Sequence, residues 1–391
     1  MSESKASAAR WLPLVLFNSL LIQGGIYVVR PIITYKSVEL GADAALVGLI
    51  GATFALAPLV FAIQIGRFVD RGRAGLALLL GSLVLFLTTF ALLFINSIPL
   101  LMVAMPSLGM GHLLVMVGGQ TLIANRSKSK DYEKNFGLLT FYASAGHAIG
   151  PFVGGYLADS GGVEVNANAA FLFALALFFI AVVGTVALST KKENPKIQKP
   201  AEKSKVNQVL GVPTFKSAIF VASATTSVVD VVLIFLPLYG REIGLSVTDI
   251  GILLAIRAIF SLAVRLVLGQ ISNRLGLRRI ISWGSFVTLV SMITLGLTAN
   301  FWWIALIMAV SGFAMGIGQP ATMAWVSRIS SPESRGLAIA IRLSANRFGQ
   351  VSMPIIAGIV AGASTAGVFY MLALVQAGSI IATVRSLKKG E

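Results

Sequence analysis

The feature that most restricts this chain is a series of twelve apolar stretches, each long enough to cross a lipid bilayer. They fall at about 12–34, 44–65, 75–95, 99–122, 136–157, 169–190, 214–238, 248–268, 280–299, 302–327, 336–361 and 368–385. A membrane-crossing helix needs roughly 20 such residues. In hydrocarbon only helices or closed barrels can pair every backbone group internally. Twelve spans with short connections use almost all of the 391 residues. Charged residues are 12% of the chain, against about 25% in a soluble domain, so there is too little polar surface for a water-soluble alternative. The expectation is an all-α membrane protein with almost no extramembrane domain. The first apolar run is too long for a signal-peptide core and is read as a retained span.

Charge placement decides what the net +16 means. The basic residues form short clusters between the apolar runs, which argues against nucleic-acid binding and for the positive-inside rule. With the N-terminus inside, 24 of the 31 Lys and Arg lie on the cytoplasmic side, only Lys36 and Arg241 lie outside, and five arginines fall within spans. Both termini are therefore expected in the cytoplasm. Trp302 and Trp303, following Asn300, suit the outer aromatic belt. There is no cysteine and there are only two histidines, so thiol chemistry is excluded and no metal site or cofactor is expected. Paired carboxylates are missing from the spans as well, which speaks against an enzyme.

An internal repeat organises the spans. At an offset of 203, Glu39, Gly41, Gly48, Gly66 and Arg71 fall on Glu242, Gly244, Gly251, Gly269 and Arg274. At the same offset Gly109, Gly146, Pro151 and Gly155 fall on Gly312, Gly349, Pro354 and Gly358. The chain thus reads as two homologous six-helix bundles, 1–190 and 214–391, joined by a Lys- and Pro-rich segment at 191–213 that looks like a solvated cytoplasmic linker. Six is even, so both bundles enter from the same side and are related by an axis along the membrane normal. In that architecture two bundles rock about a midplane site.

Two motifs carry a family resemblance. After the second span the chain reads Gly66-Arg67-Phe68-Val69-Asp70-Arg71-Gly72-Arg73. This resembles the G-x-x-x-D-R-x-G-R-R signature of the major facilitator superfamily, with one residue missing between Arg71 and Gly72. The repeat copy, Gly269 to Arg279, keeps the full spacing but has Asn273 for the acid. In the fifth span Gly146-His147-Ala148-Ile149-Gly150-Pro151-Phe152-Val153-Gly154-Gly155 is similar to the G-x-x-x-G-P-x-x-G-G motif of proton-driven exporters in that superfamily. The resemblance covers essentially the whole chain. It implies a secondary transporter working by alternating access, with gating roles for Gly66, Asp70, Arg71, Gly150, Pro151 and Gly154. Asp70 would act as a latch against the helix after Ser331-Pro332-Glu333. Gly66 is expected to let neighbouring helices approach closely. A departure is Met105, where many drug-exporting relatives carry an arginine four residues before Gly109.

Ionisable residues inside spans cost about 2.5–3.5 kcal/mol each on insertion scales, so they are functional candidates. Arg30, Arg257 and Arg347, with Tyr27 and Asn346, are candidate substrate-binding residues. Arg265 and Arg342 are expected to snorkel toward the cytoplasm. Asp230 is the one acid well inside a span; it and the two histidines, His112 and His147, are the candidate proton carriers. At the repeat offset Asp230 falls on Tyr27. Gln23, Gln120 and Gln319 are read as interhelical hydrogen-bonding groups.

The expected function is proton-coupled efflux of a drug or metabolite across the lipid bilayer, by a monomer in a cell membrane such as the bacterial cytoplasmic membrane. Proton-coupled uptake of an organic anion is the alternative. Five deep arginines against one aspartate favour an anionic or carboxylate-bearing small-molecule substrate.

Overall fold

The computed structural model describes residues 2–128, 131–159, 165–189, 206–331 and 334–387. Twelve long helices and one short one account for nearly all of them. They are α1 (Ser2–Glu39), α2 (Ala44–Phe68), α3 (Ala74–Leu92), α4 (Ile98–Arg126), α5 (Tyr132–Ala158) and α6 (Ala167–Ser189). The short α7 (Val206–Leu210) follows, then α8 (Phe215–Glu242), α9 (Val247–Leu275), α10 (Leu277–Leu295), α11 (Phe301–Ile329), α12 (Arg335–Ala363) and α13 (Thr365–Leu387). The long helices coincide with the twelve apolar stretches. Several extend past the hydrocarbon-length run into basic last turns, as at Arg126, Arg274 and Arg328, where cations meet the negative helix end.

Eight stretches among the described residues qualify as spans on length and apolarity alone, one of them holding both α2 and α3. The others, α5, α10 and α12, fall short because polar side chains dilute them; α12 alone carries Arg342, Asn346, Arg347 and Gln350. Outward-facing side chains such as Ile359 and Leu374 are large, apolar and exposed, as lipid contact requires.

The helices gather into two compact units. The first comprises Met1–Gly41, Thr53–Ile197 and Ser246–Ala255, and the second Ala42–Ala52, Gln198–Leu245 and Ile256–Glu391. In the first, α1 packs on α5 and α6 while α3 packs on α4 and α6. In the second, α8 packs on α12 and α13 while α10 packs on α11 and α13. These are the same neighbours shifted by one repeat.

Two of the duplicated glycine pairs sit at close approaches within their units. A Cβ on Gly109 would lie 1.8 Å from the Phe54 carbonyl oxygen, and one on Gly312 2.3 Å from that of Arg257. Likewise Gly146 faces the Leu20 carbonyl at 2.6 Å, and Gly349 faces Ser223 Oγ at 2.3 Å. Small residues let membrane helices approach until backbones touch, and at Gly109, Gly146 and Gly312 the added atom would meet backbone.

The missing residue of the first signature copy is visible in the backbone. Gly72 (φ 78°) turns the chain between α2 and α3, and Gly276 (φ 81°) does so between α9 and α10, one position further along the repeat. That left-handed conformation suits glycine.

Two expectations need correction. A Cβ on Gly66 would meet nothing within 4 Å, so no neighbouring helix closes on this position, which lies in the last turn of α2. The linker is not solvated throughout: Val209 in α7 is 1% exposed and joins the apolar cluster of Phe215, Val264, Ile280 and Trp325. The spacing of Val206, Val209 and Leu210 gives even this short turn an apolar side. The segment at 190–205 lies outside the described residues.

Candidate functional site

The first unit gathers its candidate residues around Gln23, a carboxamide 3% exposed on α1. His147 of α5 places Nε2 3.1 Å from Gln23 Oε1. His112 of α4 places Nε2 3.0 Å from Gln23 Nε2 and 3.3 Å from Oε1. Gln23 Nε2 also donates to Met116 Sδ at 2.9 Å. One amide therefore touches both histidines of the protein, carried on different helices. The His147 ring stacks on Tyr27, with centroids 4.0 Å apart and planes inclined by 20°. The His112 ring tilts against Phe54 at 5.7 Å, and the Arg30 guanidinium lies 4.5 Å from the centre of that Phe54 ring. Arg30 is 6% exposed; the aromatic face gives its buried charge a cation–π partner. Tyr27, Arg30, His112 and His147, expected separately, thus form one contiguous cluster.

The second unit holds the other charges. Asp230 on α8, Arg257 on α9 and Arg342 and Asn346 on α12 are all buried. Arg347 is half-buried, and its Nη1 donates to Gln350 Oε1 at 2.9 Å. Arg342 does not snorkel. It is 2% exposed, and its Nη2 donates to the Gln319 carbonyl and to Thr322 Oγ1, both at 3.0 Å. The reason is proximity: the Gln319 carbonyl and the Thr322 hydroxyl of α11 lie within hydrogen-bond reach of α12 and hold the guanidinium inside. The Gln319 contact runs through its backbone, and the Gln319 side chain itself is exposed.

The motif residues separate into two groups. Gly146, Gly150 and Gly154 all face α1: a Cβ on Gly150 would lie 2.4 Å from the Gly24 carbonyl oxygen, and one on Gly154 2.9 Å from Val28 Cγ1. Pro151 and Gly155 instead meet the first turn of α9, within the same unit. A Cβ on Gly251 would lie 2.4 Å from the Pro151 carbonyl, and one on Gly155 2.7 Å from that of Val247. The second unit repeats this contact, with Gly48 against the Pro354 carbonyl at 2.3 Å. Asp70 and Arg71 are exposed in the turn at Val69–Arg73. Pro332 and Glu333, on the segment expected to receive Asp70, lie outside the described residues. In the second signature copy Arg278 donates to the Ser386 carbonyl at 3.0 Å and lies 5.6 Å from the Trp325 ring centre.

Sequence reasoning missed the joint itself. Gln23 and the two histidines are each conspicuous as polar groups in apolar helices, but their convergence depends on α4 and α5 both flanking α1. Phe54 carried no signal at all.

Twelve helices in duplicated units, with polar and charged groups buried within them, define a multi-pass membrane transporter rather than an enzyme. The chain belongs to the Major Facilitator Superfamily, whose profile matches residues 15–247 and 217–389. Among curated relatives it is 24% identical to Multidrug resistance protein 1 of Bacillus subtilis, over 95% of both chains. It is 26% identical to the Quinolone resistance protein NorA of Staphylococcus aureus, over 88% of this chain and 87% of that one. Its fold is also that of the nucleoside transporter NupG (TM-score 0.78, 15% identity, 97% and 99% of the two chains). The D-xylose-proton symporter is as similar (TM-score 0.79, 14% identity, 96% of both).

Proposed function

We propose that this protein exports carboxylate-bearing, drug-like compounds in exchange for protons, by alternating access. The observation that carries the reading is the His112–Gln23–His147 cluster. Among the described membrane-spanning residues of the first unit, these two histidines are the only groups that ordinarily titrate near neutral pH. Asp230 is a second candidate carrier, in the other unit. Tyr27, Arg30, Arg257, Asn346 and Arg347 are assigned to substrate. The arginine excess, together with the name of the Staphylococcus aureus relative, points to quinolone-like molecules, which pair an aromatic body with a carboxylate. Asp70, Arg71, Gly150, Pro151 and Gly154 are assigned to gating. Gly66 is left as a helix-end residue. The 24-to-2 split of basic residues supports a cytoplasmic location for both termini, in the cytoplasmic membrane. One chain supplies both halves, so a monomer suffices.

The test is transport of the quinolone norfloxacin into proteoliposomes. An acid interior should drive its accumulation. Accumulation driven instead by an acid exterior would support the alternative, proton-coupled uptake of an organic anion. Transport indifferent to either gradient would end the proton-coupled reading.

A further inference from the structure

We infer that a groove between α10 and α11 seats one acyl chain of a membrane phospholipid. The groove encloses about 600 Å³, within the roughly 300–1,000 Å³ of ordinary ligand sites. Its walls are Phe286 and Val290 of α10 and Trp303, Leu306 and Val310 of α11, all of them exposed. The apolar surface continues to either side, through Trp283 and Ile293 on α10 and Trp302 and Phe313 on α11. These helices cross a membrane, so the groove opens onto lipid. The seat needs only the membrane-spanning fold and is independent of what is transported.

The gain on binding is contact. Transfer from water does not drive it, because lipid tails are as apolar as the walls. A wall atom that faces a void forfeits its dispersion partner, and a single flexible chain can follow a concave cleft. The length fits as well. The groove follows α10 from Phe286 to Thr294 and α11 from Trp303 to Val310. At about 1.5 Å per residue these are about 12 Å and about 10 Å. One leaflet of a roughly 30 Å hydrocarbon core is about 15 Å deep. Trp303 stands in the first turn of α11, where an indole joins an apolar body to an N–H suited to the interfacial layer.

The lining chemistry sets the class of occupant. None of the ten residues around the groove is charged. The Thr294 hydroxyl is spent within α10, donating to the Val290 and Ser291 carbonyls at 3.0 and 3.1 Å. The Thr298 carbonyl accepts from the Tyr239 hydroxyl at 3.0 Å, and its Oγ1 accepts from Asn300 N at 3.3 Å. Ser291 adds one buried hydroxyl. A carboxylate entering here would shed its water and meet no cation, a cost that one hydroxyl does not offset. An acyl chain has no polar group to satisfy.

Photo-labelling tests the seat. Full-length protein is placed in nanodiscs containing phosphatidylethanolamine with a mid-chain diazirine, irradiated, and its adducts are mapped by mass spectrometry. Leu306 and Val310 should be labelled several-fold more than Leu374. That residue is exposed nine positions into α13, as Val310 is nine positions into α11, at the same end of the unit. Val290→Trp fills the groove and should bring both residues down to the Leu374 level while leaving Leu374 unchanged. Ile307→Trp should do the same and serves if Val290→Trp does not fold. Equal labelling of Val310 and Leu374 in the wild type, or labelling unmoved by either variant, would overturn the seat. Groove labelling removed by excess norfloxacin would overturn it in favour of the drug. Weak labelling accompanied by cross-links between copies of the chain would overturn it in favour of a second protomer.

Discussion

The two units share a backbone frame and differ in what they have built on it. At the repeat offset, Tyr27 and Phe54 of the first correspond to Asp230 and Arg257 of the second. Gln23, His112 and His147 correspond to Thr226, Met315 and Gln350. The helix contacts at these positions are conserved between the copies: Gly109 on the Phe54 carbonyl matches Gly312 on that of Arg257. The first unit therefore presents aromatic rings and imidazoles where the second presents an acid, an arginine and groups that do not titrate near neutral pH. Duplication has kept contacts that fix helix spacing while the buried polar side chains around them differ.

The comparison breaks most severely if the shared frame is disturbed. Gly109→Val and Gly312→Val should each cost about 3 kcal/mol or more, because the added side chain meets backbone rather than a movable group. The measurement is recovery of monodisperse protein by size exclusion, which should collapse for both. Survival of one alone would show that the two frames are not equivalent.

Exchanging residues across the repeat sharpens the chemical half of the comparison. His112→Met combined with His147→Gln gives the first unit the residues of the second. Gradient-driven norfloxacin accumulation should disappear, while exchange of labelled for unlabelled drug at equal pH survives. Loss of both activities would make the histidines structural.

Arg257→Ala should weaken drug binding by about ten-fold, near 1.4 kcal/mol, read by equilibrium dialysis. Unchanged affinity would reduce the arginine to a structural partner within its unit. Asp70→Asn should lower the transport rate by a few-fold at similar affinity, since an exposed carboxylate at a helix end is worth about 0.3–1 kcal/mol. Gly66→Ala should do nothing measurable to folding or transport, because its Cβ enters open space.

Much of this was legible in the sequence because it is repetitive or solvent-driven. Apolar run length placed the helices. The 203-residue offset marked Gly109, Gly146 and Pro151 as special before any contact was known. Legibility failed where a residue's role depends on its neighbour's geometry. Arg342 looked free to reach the cytoplasm, yet the Gln319 carbonyl and the Thr322 hydroxyl hold it inside. Gly66 matched a signature, yet a Cβ there would meet open space. Val209 looked like linker and is core.

The sequence by itself determined that this chain crosses a membrane twelve times in two related halves. A bilayer's thickness and its intolerance of unpaired backbone leave no other solution for such runs. Only the tertiary structure decided that Gln23, His112 and His147 meet. They sit on three helices separated by 89 and 124 positions, and hydrogen bonding acts over about 3 Å. No periodicity within a helix encodes a distance that arises only when α4 and α5 close on α1.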